Sequence, residues 1–179
     1  MPESATPLPA PAPAPLPALA GGALLPRLVA SMGGIGHLRP APGSWGSALV
    51  LPAALLGPEG CLALAALLSL LGWWALERLP AAKADPGWVV VDEGAGQCLA
   101  LAALPAAAGA PGLILAFLLF RLFDITKPGP VGWADRQKGS TGVMLDDLIA
   151  GAMAAALILA LRAASPFWAP ALGLPEMGF

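Results

Sequence analysis

Apolar residues run along the chain in blocks of helical length, separated by short polar segments rich in Gly and Pro. The blocks span 48–56, 61–76, 92–104, 113–123 and 143–164. They consist mostly of Ala and Leu, which are strong helix formers, whereas Gly and Pro end helices or mark turns. The pattern predicts an all-α fold, a compact bundle of about five to six main helices arranged in hairpins.

The first 22 residues form a Pro/Ala-rich tract unlike the rest of the chain. Pro at this density prevents a helix, and the tract lacks the basic start and the unbroken apolar run of a signal peptide. We therefore expect a disordered tail over 1–22 and a single helical domain over 23–179.

Composition changes the expected environment of this bundle. The chain is 58% hydrophobic and 11% charged, whereas globular chains are roughly 25% charged. Membrane association is therefore favoured over a compact soluble Ala/Leu-rich protein, although most blocks are shorter than the ~20 residues that cross a bilayer. A net charge of −2 argues against nucleic-acid binding, and no obligate protein partner is evident.

The few charges are predicted to gather on one face. If consecutive helices form hairpins, the turns at 57–60 and 105–112 lie on one side, with Glu59 as their one charge. The opposite side then carries Arg39, Glu77, Arg78, Lys83, Asp85, Asp92, Glu93, Arg121, Asp124, Lys127, Asp135, Arg136, Lys138, Asp146 and Asp147. A face with this many Lys and Arg residues is expected on the cytoplasmic side of a membrane.

Acidic clusters are the first candidates for chemistry. Asp92-Glu93 and Asp146-Asp147 each begin an apolar helical block, and Asp124 ends another. Acidic pairs near a helix start also interact with the helix dipole, which is the simpler explanation of each pair alone. Taken together on one face, such oxygen ligands suit Mg²⁺ or Mn²⁺ better than Zn²⁺ or copper.

Two cations lie next to Asp124 along the chain. Arg121, Asp124 and Lys127 follow one another at intervals of three, so neighbours in this series share one helical face. They could form a surface ion-pair ladder of little energetic value. Their Phe and Leu neighbours place them at the edge of an apolar environment, where charges are usually functional, and Arg and Lys bind phosphate oxygens.

A Gly-rich segment over 33–47 precedes the first block. Ser44 is placed to cap the following helix, whose free N–H groups would attract an anion. We expect the substrate phosphate to contact Arg39, Gly43, Ser44 and Ser47, although capping and tight packing explain the segment about as well. The lone histidine, His37, is expected to be structural or a minor phosphate contact.

Phosphatase mechanisms that do not depend on a cluster of acidic metal ligands do not fit the sequence. Cys98 lacks the following Arg of a cysteine phosphatase, one histidine cannot supply a histidine pair, and there is no nucleotide-binding GxxxxGK[ST] motif. Metal-assisted phosphoryl chemistry at the acidic clusters remains.

Four blocks in order resemble the phosphatidylglycerophosphatase A family: GxG…PAPGSWGS at 34–47, DEGAGQ at 92–97, FRLFDITKPGP at 120–130 and GVMLDDLIAG at 142–151. The resemblance implies an all-α, Mg²⁺-dependent enzyme of the bacterial inner membrane. The family's acidic positions fall on Asp92, Glu93, Asp124, Asp146 and Asp147, and its basic positions on Arg121 and Lys127. Ser44 replaces a usual Thr, and Ser140 a usual Gly.

The resulting hypothesis is a Mg²⁺-dependent lipid phosphatase that converts phosphatidylglycerophosphate to phosphatidylglycerol and inorganic phosphate, with the bilayer as its environment and its active site facing the cytoplasm. Asp92, Glu93, Asp146 and Asp147 would hold the metal, and Asp124, Arg121 and Lys127 would be catalytic. A CDP-alcohol phosphotransferase is disfavoured because its motif is missing. A non-enzymatic membrane protein with an acidic ion-binding face is the remaining alternative.

Overall fold

A computed structural model describes residues 23–80, 82, 85–105 and 109–168, with side chains up to residue 164. This part of the chain is all-helical, which confirms the predicted fold class. The helices are α1 Leu24–Ala30, α2 Pro42–Leu49, α3 Gly57–Glu77, α4 Val91–Ala102, α5 Ala110–Thr126, α6 Pro130–Asp135 and α7 Ser140–Trp168. Two 3₁₀ segments, Ile35–His37 and Leu51–Leu56, flank α2. The predicted tail over 1–22, Lys83 and residues 106–108 of the predicted turn lie outside the described residues.

Proline lies at the start of four of the described helices. It occupies the first or second position of α2, α3, α5 and α6, where the missing N–H has no helical partner to lose. The predicted turn at 57–60 is therefore wrong, because Pro58 lies in the first turn of α3. Gly57, with φ of 71°, makes the bend from the preceding 3₁₀ segment.

The centre of the bundle is α4. Nine of its twelve residues are buried, and it packs most extensively against α7 and α3. The 3₁₀ segment Leu51–Leu56, which forms most of the first apolar block, packs against α3, and α2 and α3 each pack on α4. The acidic start of α4 is thereby surrounded by several helices.

Glycines let α4 and α7 approach closely. A Cβ atom on Gly96 would lie 2.4 Å from the Asp147 carbonyl oxygen, and one on Gly151 would lie 2.2 Å from the Gly96 carbonyl oxygen. Small residues at a crossing allow two backbones to come this near. The crossing fixes the position of α7 against α4 next to Asp147.

The segment 124–142, predicted as a loop, contains the short helix α6. After α6, helix α7 already begins at Ser140. The Ser140 hydroxyl donates a hydrogen bond to Glu77 Oε1 at 2.6 Å. Because α7 starts before 143, no acidic residue lies in its first turn. A helix-dipole role for Asp146 and Asp147 is therefore wrong, and their position needs another explanation.

Two segments are long and apolar enough to cross a membrane, judged on length and composition alone. They are Pro42–Glu77, of 36 residues, and Ser140–Ala164, of 25. Only 11% of the apolar window of the first is buried, so most of its apolar surface faces outward. Helices Gly57–Glu77 and Ser140–Trp168 are longer than the apolar blocks from which they were predicted, because they include residues assumed to lie in turns or loops.

Candidate metal and phosphate site

Three carboxylates meet where the start of α4 faces α7. Asp92 and Glu93 lie in the first turn of α4, and Asp147 lies in the second turn of α7. One oxygen of each lies within 4.8 Å of the others. Asp92 and Asp147 are each 4% exposed. A buried group of oxygen ligands this close could hold a metal ion.

Two oxygens in this cluster lack protein partners. The Glu93 N–H donates to Asp92 Oδ1 at 3.1 Å, but Glu93 Oε2 and Asp147 Oδ1 are buried and accept no hydrogen bond. Buried polar atoms are normally hydrogen-bonded. The two free oxygens therefore fit a cation that the protein itself does not supply.

Burial shapes the protonation of the cluster. Loss of solvent, together with the nearby carboxylates of Asp85 and Asp146, raises the pKa of Asp92 to about 6, against the hydrogen bonds from Glu93 that lower it. Burial and the neighbouring charge of Asp92 raise the pKa of Glu93 well above its usual range. The carboxylates repel one another when ionised, so a bound cation would relieve the repulsion.

Arg121 reaches the cluster from α5. Its Nη1 lies 2.5 Å from Asp124 Oδ2, an ion pair without hydrogen-bond alignment, since Nη1 and Nε have no hydrogen-bond partner. A Cβ atom on Gly43 would lie 2.1 Å from Glu93 Oε1 and 3.1 Å from Arg121 Nη1. The first turn of α2 therefore lies against the tips of both side chains, and any larger residue at position 43 would displace the Glu93 carboxylate.

Lys127 and Asp146 form a separate ion cluster beside the three carboxylates. Lys127 follows the end of α5 in a left-handed conformation, with φ of 46°, and its Nζ contacts Asp135 and donates to Asp146 Oδ2 at 2.9 Å. The predicted shared face of Asp124 and Lys127 is therefore wrong. Of the four predicted metal ligands, Asp92, Glu93 and Asp147 come together, while Asp146 is held by Lys127.

The predicted phosphate-binding segment is divided in the structure. Helix α2 begins at Pro42 without a side-chain cap, so the predicted capping role of Ser44 is wrong, and Ser44 lies half-buried in the first turn. The buried Ser47 hydroxyl donates to the Gly43 carbonyl at 2.9 Å. Arg39 is exposed in a cleft of about 430 Å³ next to Pro42, where His37 stacks on Trp88.

Sequence reasoning missed two polar residues near the site. Asp135 binds Lys127, although it was predicted only as one charge on the common face. Gln97 is fully buried in α4, and neither its Nε2 nor its Oε1 makes a hydrogen bond. The motif DEGAGQ ends on this residue, which was the available signal. At the other end of α4, Arg162 donates to the Ala103 carbonyl at 2.6 Å.

Comparisons with known proteins agree on one family. The profile of the family described as "Phosphatidylglycerophosphatase A" matches residues 28–162. A phosphatidylglycerophosphatase A of Haemophilus influenzae is 36% identical over 137 residues, covering 72% of this chain and 83% of that protein. Another from Escherichia coli is 38% identical over 81 residues, covering 41% of this chain and 43% of that protein.

A third relative carries a different name. A Bacteroides thetaiotaomicron protein, provisionally named as a phosphatidylinositol-3-phosphatase, is 37% identical over 153 residues, covering 78% of this chain and 95% of that protein. No solved structure shows significant similarity to the chain.

Proposed function

The chain belongs to the phosphatidylglycerophosphatase A family of phosphatases, and on that premise we propose that it is a Mg²⁺-dependent enzyme of phosphatidylglycerol synthesis. Its substrate would be phosphatidylglycerophosphate, and its products phosphatidylglycerol and inorganic phosphate. The two relatives named as phosphatidylglycerophosphatase A support this substrate.

The observation that carries the proposal is a cluster of three carboxylates, two of them buried, with the half-buried Arg121 beside it. Glu93 Oε2 and Asp147 Oδ1 lack hydrogen-bond partners, and so do Nε and Nη1 of Arg121. Carboxylate oxygens are the ligands that Mg²⁺ prefers, and arginine binds phosphate oxygens in pairs. The protein thus offers ligands for a cation and donors for a phosphoryl group side by side.

In this proposal Asp92, Glu93 and Asp147 hold Mg²⁺. When bound, the ion would supply Lewis-acid polarisation of the phosphoryl group. Arg121 would offset the charge on the phosphoryl oxygens, since its guanidinium lies beside the cluster and its Nε and Nη1 make no hydrogen bond. Asp124 would keep the guanidinium in place and take a proton from the attacking water. Lys127 would add positive charge while holding Asp146, and Arg39, Gly43, Ser44 and Ser47 stay a predicted phosphate surface.

The membrane setting supports a lipid substrate. Two segments are apolar enough to span a bilayer, and leucines of α3 and α5, including Leu70 and Leu118, are more than half exposed. Such exposed apolar surface suits acyl chains better than water. We place the protein in the bacterial inner membrane with the carboxylates on the cytoplasmic side, following the positive-inside tendency.

The test is release of inorganic phosphate from phosphatidylglycerophosphate by the full chain in detergent, with Mg²⁺ or with EDTA. Asp124→Asn and Asp147→Asn should each lower kcat by about 10²-fold or more while leaving the protein folded, because each removes a charge used in the transition state. Glu59→Gln, an exposed change of the same chemistry at the start of α3, should retain wild-type turnover.

Three outcomes would overturn the proposal in whole or in part. Phosphate release that is equal in Mg²⁺ and EDTA would show that the reaction does not need Mg²⁺. Faster release from phosphatidylinositol 3-phosphate than from phosphatidylglycerophosphate would favour the substrate class in the name of the Bacteroides relative. Absence of release from either lipid would favour a non-enzymatic membrane protein.

A further inference from the structure

Gln97 is a polar side chain in a position where the bundle is otherwise apolar. It is 0% exposed, and both its amide nitrogen and its amide oxygen lack hydrogen-bond partners. A buried amide left unpaired destabilises a fold, whereas an apolar side chain of similar size would not. Contacts within the protein therefore do not explain why glutamine occupies this position. A ligand that forms hydrogen bonds with the amide would explain it.

The position of Gln97 points to the phosphatase site. It lies four residues after Glu93 on α4, so the two side chains share one helical face with Cβ atoms about 6 Å apart. The tips of Glu93 and Arg121 both lie next to Gly43. The next residue towards the start of α4, Gly96, is packed against Phe120, which precedes Arg121 on α5. Gln97 thus lies one turn of α4 beyond Glu93, next to the point at which α4 contacts Phe120 of α5.

The unpaired atoms of the described residues form one group. All six buried side-chain atoms without a hydrogen-bond partner in that part of the chain belong to Glu93, Gln97, Arg121 and Asp147. Arg121 and the Gln97 Nε2 are donors, the carboxylate oxygens are acceptors, and Gln97 Oε1 is an acceptor that no cation site requires. A phosphoryl group would satisfy the donors, and a water molecule beside it would satisfy Oε1.

We propose that Gln97 is a further catalytic residue of the phosphatase site, whose Nε2 donates to a phosphoryl oxygen and whose Oε1 accepts a hydrogen bond from the attacking water. The inference rests on the proposed function. The water oxygen forms the new bond to phosphorus, the bond from phosphorus to the glycerol oxygen breaks, the water proton passes to Asp124, and the glycerol oxygen takes a proton from solvent. Gln97 gains and loses no proton, and it aligns the water with the phosphorus atom.

Two variants and one control test this role. Gln97→Met removes both hydrogen-bonding atoms at similar volume, and Gln97→Asn withdraws the amide by one methylene group. Leu101→Met changes a buried residue one turn further along the same face of α4 and conserves volume. Four quantities are measured for each: kcat on phosphatidylglycerophosphate, affinity for inorganic phosphate in Mg²⁺ by calorimetry, affinity for Mg²⁺ alone, and the thermal midpoint.

Both Gln97 variants should lose about 10²-fold in kcat, as expected for loss of a preorganised donor, and phosphate affinity should fall about tenfold. Affinity for Mg²⁺ alone should stay within about twofold of wild type, since Gln97 is not a ligand. The thermal midpoint of Gln97→Met should equal or exceed that of wild type, because an unpaired amide has been removed. Leu101→Met should match wild type throughout.

Gln97→Met with wild-type kcat and phosphate affinity would overturn the proposal. A fall in its thermal midpoint that accompanies the loss of activity would also overturn it, since Gln97 would then be structural. Failure of the proposed function gives a different result. If the wild type binds phosphate through Gln97 but releases none from phosphatidylglycerophosphate, the role of Gln97 in phosphate binding stands and the proposed substrate is refuted. No phosphate binding by wild type would refute both the proposed function and the role of Gln97.

Discussion

Replacing Gly43 with alanine should separate catalysis from folding, because the added methyl group enters the site and not the core. The new Cβ would lie 2.1 Å from Glu93 Oε1, 3.0 Å from Glu93 Cδ and 3.1 Å from Arg121 Nη1. Favourable contacts with carbon begin near 3.5 Å. The Glu93 carboxylate must therefore move by more than 1 Å, away from the position in which it faces Asp92 and Asp147.

The expected effect on rate is large and the effect on stability is small. A displacement of about 1 Å in a catalytic group costs on the order of 10²-fold in rate, so kcat should fall by about that factor. The displaced atoms are the far end of a flexible side chain, which can rotate away at little cost. Alanine is also favoured over glycine inside a helix by about 0.5–1 kcal/mol. The free energy of unfolding should therefore stay close to that of wild type.

The assay combines phosphate release at saturating Mg²⁺ with the thermal midpoint and a Mg²⁺ titration. Gly109→Ala is the matched control. Its Cβ would meet only Pro111 Cδ, at an ordinary 3.6 Å, and Gly109 lies just before the start of α5, at the opposite end of that helix from Arg121. It should retain wild-type kcat. Wild-type turnover by Gly43→Ala would refute the reasoning, as it would show that the position of Glu93 does not matter.

Two further predictions concern charge. Lys127→Met should lower the free energy of unfolding by about 1–3 kcal/mol, because it leaves the buried Asp146 without its cation; adding Asp146→Asn should recover most of the loss in urea unfolding, and equal stability of wild type and Lys127→Met would contradict this. In EDTA, the thermal midpoint should fall as pH rises from about 5 to 8. Burial raises the pKa of Asp92 from 3.8 to about 6 and that of Glu93 well above its usual range, so the folded state holds protons that the unfolded state releases. This stabilisation is complete below the unfolded pKa values and is lost as pH rises through the folded ones. A midpoint that does not change over this range, measured by differential scanning fluorimetry, would contradict the assignment.

The sequence was enough to identify helices and to select carboxylates. Ala- and Leu-rich blocks form helices through local propensity, which depends little on tertiary contacts. Asp92, Glu93, Asp146 and Asp147 were selected together because charge is scarce in this chain and expensive to bury. Errors arose at Pro58 and Pro130, since proline begins a helix as readily as it interrupts one and its sequence signal is the same in both cases.

The different contacts of the neighbouring carboxylates Asp146 and Asp147 could not be predicted from the sequence. Asp146 and Asp147 are adjacent, yet their side chains leave α7 about 100° apart, so one meets Lys127 and the other meets α4. Which of them faces α4 depends on the rotation of α7 about its axis, which is set by the close crossing at Gly96 and Gly151.

The sequence by itself determined that this protein is helical, largely apolar and equipped with oxygen ligands, because helix propensity and residue chemistry are local properties. Only the tertiary structure decided that Asp147 joins Asp92 and Glu93, that Asp146 is held by Lys127, and that Gln97 is buried without a partner. These depend on helix rotation and on packing between residues that are distant along the chain, which no local pattern encodes.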